Sequence, residues 1–297
     1  MTFPLNQIHK SLGFARTAKN GFVIGGSAVS PETVRYLLSL DLKMLETTSQ
    51  TEQAGFPQCI NSVQPGGFRI GRVGRAYPDQ CEVRLTETGE MLSRSRAVCM
   101  GYLNNQHNTN NTIDDQGWLH SGDILTVDQE GFYKIVGRIK EIIITSGGEN
   151  VAPTNIEDEV RLSLPDIVNI VMVCGDGRPY LSCLLTPKVE IDMTTLTPTE
   201  NLEPRAVAWL RSVCGAEIRT VTALLESPHW AKIAEAIDEG IERANSRAVS
   251  NVAKIKRWKL LSKDFSVHGG ELSPTLKLGR FHVAKLYEDL IEGMYTD

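Results

Sequence analysis

Several short stretches of this 297-residue chain set charged or hydroxyl side chains beside glycine, where backbone freedom lets a ligand come close. Asp123 closes Gly117-Trp118-Leu119-His120-Ser121-Gly122-Asp123. A carboxylate there can accept from two neighbouring hydroxyls; a Gly-Asp pair is equally a common turn. Arg138 follows Gly137 and precedes Ile139-Lys140-Glu141. Arg138 reads either as a ligand-facing cation or as a surface arginine in a salt bridge, and Lys140 on local grounds as a solvated lysine. Thr145-Ser146-Gly147-Gly148 follows an apolar run, so it is a loop whose backbone can approach a ligand, or a plain tight turn. Lys277 lies in Gly269-Gly270-Glu271-Leu272-Ser273-Pro274-Thr275-Leu276-Lys277-Leu278-Gly279-Arg280. Its ammonium can bridge two anions, or it is one surface lysine in a basic run with Arg280. Gly25-Gly26-Ser27-Ala28 reads as a strand-ending turn, and Thr51-Glu52 puts a hydroxyl beside a carboxylate.

The elements that must carry these residues follow from pattern. Phe22-Val23-Ile24 is short and β-prone, and Gly25-Gly26-Ser27 breaks it. Ser30 then makes an N-cap with Pro31 at the first helical position. Val34, Leu37 and Leu38 fall at helical spacing, and 42–45 reads as the next strand, an α/β order. From 57 to about 135 turn signals recur. Cys81, Val83 and Leu85 alternate with Glu82, Arg84 and Thr86, the period of a half-buried strand. Asp128-Gln129-Glu130-Gly131 predicts a hairpin between 124–127 and 132–136, so this region is mostly β. Beyond it, Ile142-Ile143-Ile144 signals a buried strand. Residues 153–164 read as a helix with Ile156, Val160 and Leu164 spaced by four; 167–174 and 181–186 read as strands. The stretch 203–249 is helical, with Ile233, Ile237 and Ile241 repeating every four. A strand at 255–261 and one amphipathic helix at 282–294 complete the chain. The weakest, most polar stretch is 194–203.

Composition narrows the function classes. A 41% hydrophobic content supports a packed core, and a formal charge of −5 argues against non-specific nucleic-acid binding, which needs clustered positive charge. None of the six cysteines forms a C-x-x-C pair or has histidine at zinc spacing, so they read as thiols in a reducing compartment. The first residues lack the basic-then-apolar order of a secretory signal. No apolar run approaches the ~18–20 residues of a membrane span. The expectation is a cytoplasmic protein, soluble or peripheral to the endoplasmic reticulum or another membrane.

Four segments in this order resemble the adenylate-forming, AMP-binding superfamily: Gly25 to Glu32, Glu46-Thr47-Thr48-Ser49-Gln50-Thr51-Glu52, Gly117 to Asp123, and Gly137-Arg138-Ile139-Lys140-Glu141 running into Thr145 to Asn150. The closing segment and the long insert between Pro187 and Ile255 resemble the C-terminal half of the bubblegum-type long-chain acyl-CoA synthetases. The resemblance implies an α/β (α+β) fold. Residues 1–137 would be the end of the large AMP-binding domain, β-rich over about 57–137. Residues 138–297 would be the smaller mobile domain, with a helical insert at about 190–252. It also implies a ligase that forms an acyl-adenylate from a long-chain fatty acid and ATP, then transfers the acyl group to coenzyme A. The first step gathers negative charge at phosphorus and needs fixed cations and donors. The second uses other groups, brought in by rotation of the smaller domain about a hinge.

By the same resemblance, Asp123 and Arg138 take the ribose, and Gly26, Ser27 and Ala28 line the adenine pocket. Thr51 contacts phosphate, Glu52 holds Mg2+, and Lys277 is the adenylation lysine. Lys140 is the hinge, and Gly147 and Gly148 lie near the pantetheine tunnel. The chain departs from the pattern in three places. Thr48 and Ser49 stand where the family has tyrosine and glycine, and a lost stacking partner costs about 1–3 kcal/mol by analogy with base stacking. Gly279 stands where the subfamily usually has lysine, and the first segment is one residue short.

The family's Ser/Thr/Gly-rich phosphate loop lies well upstream of Gly25, and no Gly-Lys dipeptide marks a Walker-type loop. Two expectations follow. One is a long-chain fatty acid–CoA ligase, using ATP, Mg2+ and coenzyme A, present as a C-terminal half that works with an upstream half of the same enzyme. The other is a non-catalytic remnant that binds nucleotide, acyl-CoA or a partner protein. A half-domain of this kind is expected to leave a sheet edge and apolar surface unpaired.

Overall fold

The computed structural model describes residues 10, 11, 13, 21–26, 29–55, 57–77 and 79–296. The chain divides into two compact units, Met1–Lys140 and Glu141–Asp297.

In the first unit, β1 (Phe22–Ile24), α1 (Pro31–Ser39) and β2 (Met44–Thr48) form a βαβ unit with β1 and β2 parallel. Ser30 caps α1: its hydroxyl accepts from the Thr33 N–H at 3.2 Å, with Pro31 next, and Val34 is fully buried. β2 starts two residues later than the pattern 42–45 suggested, because Asp41 takes a positive φ and lengthens the turn after α1. Two short antiparallel strands, β3 (Cys59–Ile60) and β4 (Arg75–Ala76), extend the sheet in the order β1-β2-β3-β4. A second, antiparallel sheet follows: β5 (Glu82–Leu85), β6 (Glu90–Arg94), β7 (Leu119–Val127) and β8 (Tyr133–Arg138), in chain order. The β7–β8 turn is the hairpin that Asp128 to Gly131 predicts; the Asp128 carboxylate accepts from the Glu130 and Phe132 N–H groups. Between β6 and β7 lies α2 (Gln106–Thr112), a helix without apolar periodicity that pattern did not reveal, capped by Asn105.

The second unit opens with a two-strand pair, β9 (Ile143–Ile144) and β10 (Asn150–Val151), then α3 (Pro153–Ser163). Ile143 is buried but Ile144 is 52% exposed, so this is a short hairpin rather than a buried strand. β11 (Val168–Cys174) and β12 (Leu181–Pro187) are antiparallel. After the pair β13 (Val189–Asp192) and β14 (Thr197–Leu202) come α4 (Pro204–Cys214), α5 (Val221–Leu225) and α6 (Trp230–Asn245). β15 (Ile255–Leu260) returns parallel to β12, giving the sheet order β11-β12-β15. The polar stretch at 194–203 is therefore largely strand. Its threonines are β-branched, Asp192 turns the hairpin by accepting from the Thr194 N–H, and Val189 and Leu202 are buried at its base.

Alternation along the central strands builds two cores on the two sheet faces. Val171, Val173, Leu181, Cys183 and Leu185 join Ile233, Ile237 and Ile241 of α6 on one face. Met172, Cys174 and Leu184 join Leu261, Phe265, Val283 and Met294 on the other. The C-terminal helix is two helices, α7 (Arg280–Leu286) and α8 (Glu288–Gly293), because Tyr287 leaves helical geometry to lay its ring 5.9 Å from Phe265. All six cysteines are free thiols.

Candidate functional site

In the first unit the β7–β8 ladder pairs Asp123 directly with Arg138. Asp123 is 9% exposed, and its Oδ1 accepts from Arg138 Nε at 2.8 Å. The strand is specially shaped just before it. Gly122 has φ +69, and the Glu90 side chain braces the bend by accepting from the Gly122 N–H at 3.1 Å and pairing with His120 at 3.2 Å. Trp118 of the same motif is buried between the Arg84 and Arg94 guanidiniums, 4.0 and 4.6 Å from its ring. The motif's aromatic and histidine therefore hold the strand, and Asp123 is the group they present. Arg138 is both the salt-bridged arginine and the neighbour of the expected ribose carboxylate: one contact serves both readings.

Thr51 and Glu52 sit on a single 3₁₀ turn, 51–53, that ends with Ala54 in the left-handed region. Buried Gln53 roots the turn: it accepts from Ser93 Oγ at 2.9 Å, and Ser93 Oγ in turn accepts from Gln58 Nε2 at 2.8 Å. The Glu52 carboxylate accepts from the Tyr102 hydroxyl at 2.6 Å, and this hydrogen bond, aided by burial, pushes the phenol up. Gln50, ahead of the turn, donates from Nε2 to the Ser121 carbonyl at 2.9 Å and reaches Asp123 Oδ2 at 3.4 Å. Thr48, at the family's tyrosine position, is buried. Gly26 is exposed at φ +86, while Ser27 and Ala28 lie outside the described residues. Sequence reasoning missed Tyr102 and gave no role to Gln50, although Gln50 lies inside the Glu46 to Glu52 motif, because their partners are far away in the chain.

Lys140 is exposed at the end of the first unit. In the second unit, Thr145 to Gly148 form a tight turn: the Gly148 N–H donates to the Thr145 carbonyl at 2.8 Å, and Gly148 has φ +78. Gly147 and Gly148 are exposed, so their backbone is open to a ligand. Lys277 rides on a small loop whose feet are Leu272 and Leu278, joined by a β-bridge. Ser273 closes the loop, donating its N–H to the Lys277 carbonyl at 2.8 Å and accepting from the Lys277 N–H at 3.1 Å. Lys277 is exposed, and its ammonium has no hydrogen-bond or ion-pair partner among the described residues.

Both feet of that loop are fixed by charge. At one, fully buried Glu271 pairs with Lys263 at 2.8 Å. Burial works to raise its carboxyl, but Lys263 and the Ser266 N–H outweigh burial and hold it below the ordinary range. At the other, Arg280 forks onto Glu157, with Nη1 at 2.6 Å, and reaches Glu141 through Nε at 2.9 Å. Glu157 also accepts from the Val173 N–H. Arg280 is thus a half-buried anchor, paired with two carboxylates, and not part of a solvated basic run.

Residues 140–208 match the family model of the AMP-binding enzyme C-terminal domain. The chain is 39% identical over 298 residues to the long-chain-fatty-acid–CoA ligase ACSBG1 of Rattus norvegicus, covering 99% of this chain and 40% of that protein. It is 38% identical to ACSBG2 of Xenopus laevis, with 98% and 39% covered. The chain is similar to these long-chain-fatty-acid–CoA ligases over nearly its whole length. It spans about 40% of the length of the ACSBG1 ligases that it matches. The adenylation domain of a carboxylate reductase from Mycobacterium chelonae shares the fold, with TM-score 0.68 at 20% identity, over 93% of this chain and 38% of that one. So does the A domain of the carboxylic acid reductase of Segniliparus rugosus, in complex with AMP, with TM-score 0.66 at 18% identity over 92% and 39%. The resemblance to AMP-binding enzymes implies a divalent cation beside a nucleotide. No group of three or more His, Cys, Asp or Glu able to hold a metal occurs among the described residues. A lone Glu52 carboxylate still fits Mg2+, which takes one or two protein carboxylates and completes its shell with waters and substrate phosphates.

Proposed function

We propose that this chain carries the ribose-binding, hinge and lysine groups of a long-chain fatty acid–CoA ligase. The observation that carries this reading is Asp123, a nearly buried carboxylate held against Arg138. A buried charge is retained where a partner or ligand meets it. Asp123 accepts from the ribose hydroxyls of ATP, and Arg138 orients both. The fatty carboxylate attacks the α-phosphorus, the bond to pyrophosphate breaks, and an acyl-adenylate forms. Lys277 offers its ammonium to the carboxylate and the α-phosphate, offsetting charge as it develops, and Thr51 contacts phosphate. Glu52 would hold Mg2+, which supplies positive charge to the phosphate oxygens. In the second step the coenzyme A thiol attacks the acyl carbonyl and AMP leaves. The exposed backbone of Gly147 and Gly148 lies along the pantetheine, and Lys140 is the hinge. The phosphate loop belongs, in this reading, to the part of such a ligase that this chain does not span. No described helix is long and apolar enough to cross a membrane, and the long-chain acid is taken up by peripheral contact with one.

A second reading is favoured by buried Thr48, which offers no ring to the adenine: nucleotide binding without turnover. The deciding experiment is ATP-dependent acyl-CoA synthesis by the purified chain with a long-chain fatty acid, coenzyme A and Mg2+, beside Lys277→Ala. Turnover lost in the variant supports the ligase. AMP binding without turnover in either form supports the second reading.

A further inference from the structure

Glu52 lies on a 3₁₀ turn and Asp123 within β7, 71 residues apart in sequence, yet one residue, Gln50, contacts the structure around both. The main-chain carbonyl of Gln50 accepts from the Gln53 N–H at 3.1 Å and the Gly55 N–H at 3.0 Å, which closes the turn bearing Thr51 and Glu52. The Gln50 side-chain nitrogen Nε2 has two protons to give. One goes to the Ser121 carbonyl at 2.9 Å; the other points to Asp123 Oδ2 at 3.4 Å. Asp123 Oδ1 is taken by Arg138 at 2.8 Å, and the Asp123 N–H donates to Ser121 Oγ at 3.0 Å. The carboxylate is therefore held on both oxygens, by a cation on one side and a neutral amide on the other. A neutral donor at long distance steadies the rotamer and leaves Oδ2 free to accept a stronger hydrogen bond.

We infer that Gln50 is a positioning residue for ribose recognition: it sets the Asp123 carboxylate in the plane in which Oδ2 accepts from a nucleotide hydroxyl. This rests on reading Asp123 as the ribose acceptor. It adds that the residue between the departed Thr48-Ser49 pair and Thr51-Glu52 works in this chain, although the aromatic ahead of it is gone. With no ring to stack on adenine, the affinity for nucleotide then depends more heavily on the sugar. A preference for ribose over deoxyribose becomes the signature of the site.

The test compares binding of AMP and 2′-deoxy-AMP by calorimetry, for the full chain and for Gln50→Met, which keeps the length of the side chain and removes both N–H groups. Gln50→Ala serves as a second variant. The wild type should bind AMP on the order of ten-fold more tightly than the deoxynucleotide, the effect of one hydrogen bond to a charged group. Both variants should lose most of that ratio, to within about three-fold, through weaker AMP binding and nearly unchanged deoxy-AMP binding. A merely structural role would weaken both nucleotides together and leave the ratio intact, and that result overturns the inference about Gln50. A wild-type ratio near one, or no AMP binding at all, overturns the ribose reading of Asp123 itself.

Discussion

Glu271 and Arg280 fix the two feet of the loop that presents Lys277, and their chemistry makes each testable. Glu271 is fully buried, and its folded carboxyl is held below the ordinary value by Lys263. A depressed carboxyl adds stability above its unfolded pKa, about 4.3, and that stability disappears as the pH falls through the folded value. Lys263→Met leaves Glu271 buried alone, so its carboxyl rises above the ordinary value and the sign reverses. The stability gap between wild type and Lys263→Met should be largest near pH 7 and shrink toward pH 4, as urea unfolding at the two pH values reports. A gap independent of pH would place the pair outside the folding balance. Arg280→Met strands the Glu157 carboxylate in a buried position and should cost about 3 kcal/mol, read from denaturant midpoints. Charged motif residues were legible in the sequence because they stand in short local motifs. The contacts of Arg280, Gln50 and Tyr102 were not legible, since their partners lie 123, 71 and 50 positions away and no local pattern reports a distant partner.

At the scale of elements, the strongest constraint is Gly74. It has φ +88, and a Cβ there would fall 1.9 Å from the Ile60 carbonyl carbon and 2.2 Å from the Asn61 nitrogen. Backbone cannot yield as a side chain can. Gly74→Ala should therefore lower stability by at least about 2 kcal/mol, measured by thermal unfolding, and an unchanged midpoint would contradict the β3–β4 geometry. Elements with a clear period were legible: Ile233, Ile237 and Ile241 of α6 are all buried, and β7–β8 follow their turn signal. Two kinds of element escaped. The helix α2 is asparagine- and threonine-rich and held by caps rather than by an apolar face. The β13–β14 hairpin hides its two anchoring residues at its ends, so its polar middle reads as loop. Tyr287 splits the last helix because a tertiary contact outweighs local helix preference.

For the whole molecule, the second unit contains both faces of its own sheet core, and every ion pair around Lys277 lies within it. Residues 141–297 expressed alone should unfold in one cooperative transition; a non-cooperative melt would show that this core needs the first unit. Fold class and the likeness to AMP-binding enzymes were readable from four ordered motifs. The divided core was not, because alternation on a central strand gives both faces the same apolar signal. The central claim is that Asp123 receives a nucleotide ribose, and calorimetric titration of AMP into wild type and Asp123→Ala tests it most directly. The account predicts binding by the wild type, weakened on the order of ten-fold or more by the substitution. Equal affinity in the two proteins, or no binding by the wild type, would contradict it.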